Sequence, residues 1–230
     1  MELSEYFGDW LKVIYEEDLI NISKRLQILY QRFDINPEYK DIFKAFKECS
    51  YDNCKVVMLF QDPYPQKNVP NGLALANKVG TGKLSPSLET FIYSLRAYDD
   101  TKPLVSEFDI TMESLEKQGI LMLNSALTVR VVKPGSHADL WYNFIAKFLI
   151  SLSIINPGII YVLFGSQAQK FERYIETTGN CVVKAQHPAY YARIDKLIPL
   201  RVFKRIDDWV AIQHNCRINW FNNKEYGRKD

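Results

Sequence analysis

Four short apolar runs constrain this chain more than any other feature of its sequence. They are Val56–Phe60, Gly119–Leu123, Ile159–Phe164 and Cys181–Ala185. Each is too short for a helix core and is bounded by breakers or polar residues, as a buried strand is. Helical patterns lie between them: Leu88–Tyr98, Ile110–Gln118, Trp141–Ile155 and a segment opening near Gln167. Strands alternating with helices predict a parallel sheet between helical layers. The expected fold is α/β, a three-layer α/β/α arrangement around a central four-stranded parallel sheet, in one domain over 1–230.

Before the first strand, Leu19, Ile22, Leu26 and Leu29 form one apolar stripe, so residues 3–33 read as helix. Ile35–Tyr39 reads as a loop, and Tyr39–Cys49 as a short helix. The last helix is expected over Pro199–Gln213. Asn219-Trp220 offers a closing edge, and Asn222–Asp230 a polar, mobile tail.

The residues just past each strand are more informative than the strands. In an open α/β sheet, ligands bind at the carboxyl ends of the strands. Those ends carry Asp62-Pro63-Tyr64, Asn124, Gly165-Ser166 and His187. Pro63 and Pro65 stiffen the backbone on both sides of Tyr64, so the ring is aimed. The segment from Gln61 to about Ser85 is long and irregular, which in a compact domain usually marks function. Ser85 or Ser87 is placed to cap the next helix, whose exposed N–H groups suit a phosphate. Gly165-Ser166 reads as a second phosphate-binding turn, although the Walker spacing is absent. A third loop, Ser125–Asp139, carries Arg130, Lys133 and Ser136-His137. A fourth, Ala189–Lys196, carries Tyr190, Tyr191 and Arg193.

Bulk properties narrow the setting. A net charge of +2 neither demands nor forbids nucleic acid. Cys49, Cys54, Cys181 and Cys216 show no C-x-x-C pair and no His at zinc spacing, so no metal site is expected. A reduced compartment is the simplest one: cytoplasmic, or nuclear in a eukaryotic or viral setting, and not secreted. No signal-peptide pattern opens the chain, and no apolar run reaches the roughly 20 residues of a membrane span.

In order and spacing, these motifs resemble family 1 uracil-DNA glycosylases over most of the chain. Lys40–Phe46 is similar to the family's lead-in, and Phe60-Gln61-Asp62-Pro63-Tyr64-Pro65 to its water-activating motif. Gly72-Leu73-Ala74-Leu75, the Ser85-Pro86-Ser87-Leu88 turn and Met122–Arg130 come next, then Ser136-His137, Gly165–Lys170 and His187–Tyr191. The resemblance implies hydrolysis of the bond between uracil and deoxyribose in DNA, single- or double-stranded, in base excision repair after base flipping. It implies Asp62 and His187 as catalytic residues. Asp62 positions water and faces the sugar cation, while His187 donates to uracil O2. Gln61, Tyr64, Leu75 and Asn124 become base-binding, with Asn124 reading N3–H and O4 and Tyr64 excluding thymine. Ser85, Pro86, Ser87, Ser166, Tyr190, Tyr191 and Arg193 become DNA-binding, with Tyr191 at the wedge position. A basic face is expected from Lys67, Lys78, Lys83, Arg130, Lys133 and Arg193. The implied protein needs no cofactor and acts as a monomer; any protein inhibitor is unknown.

The chain departs from the family pattern at Phe60 (Gly), Pro65 (His), Leu75 (Phe) and Tyr190-Tyr191 (Pro-Leu). These departures keep two alternatives open. One is a catalytically weak glycosylase fold kept for DNA binding or as a replication accessory; the other is an enzyme for a different modified base.

Overall fold

The computed structural model describes residues 3–221. In chain order it begins with α1 (Leu3–Phe7), a 3-10 turn (Gly8–Lys12) and α2 (Glu16–Arg32), so the helix expected over 3–33 is broken. The break lets Trp10 turn inward, where its indole N–H donates to the Cys49 carbonyl at 2.8 Å. There follow β1 (Ile35–Asn36), a 3-10 turn (Tyr39–Asp41), α3 (Lys44–Glu48) and β2 (Val56–Phe60). The helix expected over Tyr39–Cys49 is thus two short pieces, and the loop expected over Ile35–Tyr39 contains a strand.

Then come α4 (Pro86–Tyr98), α5 (Glu113–Glu116), β3 (Ile120–Asn124), β4 (Val129–Arg130), α6 (Ala138–Ile155), β5 (Ile160–Phe164) and α7 (Gly165–Gln169). The chain continues through β6 (Cys181–Ala185), α8 (Pro188–Arg193) and α9 (Arg201–His214). No strand forms at Asn219-Trp220. Trp220 and Phe221 are buried there instead, and the Trp220 indole N–H donates to Asp207. The polar tail expected from Asn222 lies outside the described residues.

The central sheet has the order β3-β2-β5-β6 and every pairing in it is parallel. β2, β3 and β5 are buried at every position, which explains why they read as unbroken apolar runs rather than alternating ones. One aromatic cluster joins Trp10, Phe46 and Phe148, edge-on or tilted at 5.2–5.8 Å. A second joins Phe91 to Phe164 and Phe203. The most apolar helix, α6, has a mean hydropathy of 1.3 over 18 residues, and half of it is buried. Trp141, Phe144 and Phe148 occupy its buried face, so its hydrophobicity serves the core.

The sheet order places the topological switch between β2 and β5. From β2 the chain goes out to β3 on one side; β5 and β6 extend the other side. Ligand crevices in open α/β sheets open at such a point, outside the carboxyl ends of the strands.

Candidate active site

A cavity of about 470 Å³ opens at that switch point. Its lining includes Gln61, Asp62, Tyr64, Leu75, Asn124 and His187, the six residues expected from sequence to be catalytic or base-binding. Ser87, Ser166, Tyr190 and Arg193 line it too. Ser85 and Pro86 do not; they border an adjoining recess of about 320 Å³ with Tyr64, Ser87 and Arg193. Tyr191 lines neither and packs half-buried against the core.

The loop after β2 is tied down along its length. The Phe60 carbonyl accepts from Ser125 N–H, and the Gln61 carbonyl from both Ala126 N–H and the Ser125 hydroxyl, each at 2.9 Å. The Pro65 carbonyl accepts from Val132 N–H at 2.9 Å. The Asn36 amide donates to the Tyr64 and Gln66 carbonyls at 2.9 and 2.8 Å. Asn36 is held in turn by β1, which pairs antiparallel with β4. Neither short strand was legible in sequence, so Asn36 had no visible partner.

Asp62 Oδ2 accepts from Gly135 N–H at 2.6 Å. Burial raises its pKa above the ordinary carboxylate value, and the Gly135 bond opposes that rise. The Tyr64 hydroxyl donates to the Leu75 carbonyl at 3.2 Å. Burial lifts its pKa well above the ordinary phenol value, so the ring stays neutral. Leu75 holds a left-handed backbone, φ +65°, which turns its carbonyl toward that hydroxyl.

Asn124, at the end of β3 opposite Phe60 in register, is 3% exposed. Its Oδ1 is buried and accepts no hydrogen bond among the described residues. A buried acceptor without a donor is costly unless a ligand supplies one.

His187 follows β6 and caps α8. Its Nδ1 accepts from Ala189 N–H at 3.2 Å, which leaves the proton on Nε2 of the neutral ring. Burial, with a smaller contribution from Arg193, pushes its pKa down from 6.5 to about 4. Phe60 meets this ring edge-on at 5.9 Å and stacks on Phe164 at 4.7 Å, 5° from parallel. Gly165, at φ +85°, completes the confinement: a Cβ there would stand 3.0 Å from the His187 Cβ.

Four expectations need correction. The segment expected to be a loop from Ala189 onward is largely α8. Pro188 sits in its first turn, where a missing N–H costs nothing. Tyr190 supplies an N–H that bonds to the His187 carbonyl at 2.8 Å, which a proline at that position lacks. The register of this helix points Tyr190, 40% exposed, into the cavity mouth in place of Tyr191. Ser85 precedes α4 but caps nothing; its hydroxyl donates to Asn77 Oδ1 at 2.9 Å. The basic face is smaller than expected. Lys67 pairs with Asp34, Lys78 with Glu38, and Arg130 lies over the Phe33 ring at 3.7 Å. Lys83, Lys133 and Arg193 have no ion pair among the described residues.

The cavity therefore gathers a half-buried carboxylate, an unsatisfied amide acceptor and an N–H donor on a neutral imidazole. Known proteins resemble this chain in sequence and fold. A curated relative from Amoebophilus asiaticus (strain 5a2), a uracil-DNA glycosylase, is 35% identical over 193 residues, covering 83% of this chain and 86% of its own. One from Mesomycoplasma hyopneumoniae (strain 7448), of the same name, is 28% identical over 96% of this chain and 97% of its own. The crystal structure of mimivirus uracil-DNA glycosylase superposes with a TM-score of 0.71 at 18% identity, covering 96% of this chain and 93% of that one. The family model described as the uracil DNA glycosylase superfamily matches residues 46–210, which take in the four sheet strands and every lining residue. On its sequence and its fold, the chain belongs to the uracil DNA glycosylase superfamily.

Proposed function

We propose that the protein hydrolyses the N-glycosidic bond of uracil in DNA and leaves an abasic site, as a step of base excision repair. The observation that carries this reading is the buried, unpartnered Asn124 Oδ1 in the cavity that also holds Asp62 and the His187 Nε2–H. Uracil offers an N3–H donor to that oxygen, and its O4 suits the amide N–H₂. Tyr64, pinned to Leu75, is a rigid wall on which a 5-methyl group would collide.

In this reading the uracil nucleotide leaves the helix stack and enters the cavity. The bond between C1′ and N1 breaks, its electron pair goes to uracil N1, and the sugar becomes a cation. Asp62, ionised and held by Gly135 N–H, faces that cation and orients the water. The water oxygen bonds to C1′ and its proton leaves through the carboxylate to uracil N1. His187 Nε2–H donates to uracil O2 as negative charge builds there. A preorganised donor at such an oxygen contributes about 3–4 kcal/mol to barrier lowering. The protein supplies an aimed donor with no ring reorganisation, because Ala189, Phe60 and Gly165 already fix the imidazole.

Action as a monomer, in a cytoplasmic or nuclear compartment, belongs to the same proposal; all four cysteines are free. A solved mimivirus UNG variant is in complex with UGI, with a TM-score of 0.75 and 19% identity. Binding of UGI to this protein belongs to the same proposal and is tested by mixing the two.

The test is excision from uracil-containing single- and double-stranded oligonucleotides, read by alkaline cleavage. Wild type is expected to cleave both. Asp62→Asn is expected to lose at least 10²-fold in rate while still binding the same DNA. DNA binding without abasic sites at high wild-type concentration refutes the enzyme reading in favour of a DNA-binding accessory.

A further inference from the structure

The cavity continues past the Ser85-Pro86-Ser87 turn. The recess of about 320 Å³ beside it is bordered by Ser87, Ala189, Ala192 and Arg193. Ala192 also borders a larger cavity of about 560 Å³, lined by Thr90, Tyr93, Arg96, Ala97, Lys102 and the turn after α8. The three spaces follow one seam between α4 and α8.

The helical repeat explains the seam. On α4, Ser87, Thr90, Tyr93 and Ala97 recur at steps of three, three and four, and so share a face. Opposite them on α8, Ala189 and Ala192 are three residues apart, and Lys196 follows beyond the helix end. Two alanines on the α8 side leave the space that larger side chains would fill. The Ile198 N–H donates to the Ser94 hydroxyl at 2.9 Å and ties the chain beyond α8 to α4 at the far end.

The chemistry of the far cavity is that of a nucleotide-strand site. Tyr93 is 42% exposed, an available aromatic face. Arg96, Lys102 and Lys196 line the space against one carboxylate, Asp195. None of the three cations has an ion-pair partner among the described residues. Arg96 donates only to the Pro103 carbonyl, and Lys102 to the Ala97 and Asp99 carbonyls. The Asp99 carboxylate is itself taken up by Thr101. Lys147, Lys184 and Lys204, by contrast, pair with Asp18, Glu172 and Asp208.

We propose that the α4–α8 seam holds the single strand flanking the flipped nucleotide, with one unpaired base on Tyr93 and phosphates on Arg96, Lys102 and Lys196. The proposal rests on the uracil-excision reading of the adjoining cavity. An unpaired strand is specified because bases stacked in a duplex hide the faces an aromatic ring needs. Ser87 and Tyr93 are six residues apart, about 9 Å along the helix. Tyr93 therefore meets a base a short way along the strand from the uracil, not the uracil itself.

The test uses single-stranded uracil oligonucleotides with one or six flanking nucleotides, lengthened on the 5′ or the 3′ side separately. Binding is followed by fluorescence anisotropy and excision by alkaline cleavage, for wild type, Tyr93→Ala and the Arg96→Ala/Lys196→Ala pair. Wild type should bind the longer oligonucleotide roughly ten-fold more tightly on one polarity only. Both variants should lose that gain, melt at the wild-type temperature and cut the one-nucleotide-flank substrate at the wild-type rate. A wild type indifferent to flank length, or variants that weaken short and long oligonucleotides equally, overturns the seam. Failure of wild type to cut any oligonucleotide refutes the glycosylase reading instead, because flank-dependent binding is measured without excision.

Discussion

Replacing His187 by glutamine tests the feature on which the proposed chemistry most depends, a neutral imidazole that donates from Nε2. Burial holds its folded pKa near 4, against 6.5 for an unconstrained histidine. Between those two values the unfolded chain binds a proton that the folded chain excludes, so this residue makes stability climb as pH rises. Its share is nearly complete by pH 7 and is lost as pH falls through 6.5 toward 4. For the interval from pH 7 to pH 5 the linkage amounts to about 2 kcal/mol. A chain of this size shifts its Tm by about 2–4 °C per kcal/mol, which gives about 4–8 °C. Glutamine carries no titrating proton, so His187→Gln should lack this component. Every other titrating group, Asp62 included, is common to both proteins and cancels in the comparison. The assay is urea or thermal unfolding of both proteins at pH 5 and pH 7. The wild type is expected to lose about 2 kcal/mol more than the variant on acidification. Excision at pH 7 should fall about 10²–10³-fold in the variant, the usual cost of losing a donor to a developing oxyanion. Equal acid sensitivity of the two proteins would refute the buried, neutral imidazole. A wild type that gains stability toward pH 5 relative to the variant would reverse its sign, and with it the Nε2–H assignment.

Other substitutions probe the scaffold around that ring. Gly165→Ala forces a side chain into φ +85° and toward the His187 Cβ, so it should cost about 1–2 kcal/mol in denaturant unfolding and lower kcat more than it raises KM. Asn36→Ala removes two donors from the Tyr64 and Gln66 carbonyls; it should destabilise by about 1–3 kcal/mol and raise hydrogen exchange at the loop after β2. Tyr190→Ala should lower excision from duplex DNA and spare single strands. Tyr191→Ala, which truncates a ring packed on the core, should chiefly lower Tm.

The sheet was readable because β2, β3 and β5 are buried on both faces, so their residues had no reason to alternate with polar ones. The site was readable because parallel strands bring their carboxyl ends to one rim. Asp62, Asn124 and His187 could therefore be joined without any knowledge of distances. The features that escaped reading depend on contacts far apart in sequence. Two-residue strands such as β1 and β4 carry no periodicity, so the pairing that presents Asn36 to the loop had no local sign. Gly135 acts through its backbone N–H, which any residue but proline would offer. The exchange between Tyr190 and Tyr191 did have a signal. Without a proline at 190, the residues after Pro188 are free to become helix; the two rings then meet edge-on at 5.5 Å, and only Tyr190 lines the cavity.

The ribbon formed by β1 and β4 bears on how this domain is delimited. The superfamily match begins at residue 46, while Asn36, ten positions earlier, holds the backbone that aims Tyr64. A polypeptide trimmed to the matched span keeps every strand of the central sheet and every residue facing the cavity, yet loses the brace behind its reactive loop. Its fold and its competence would then separate, because the span of the family model is shorter than the module that does the chemistry. Grafts and fusions of this domain should accordingly be cut upstream of β1.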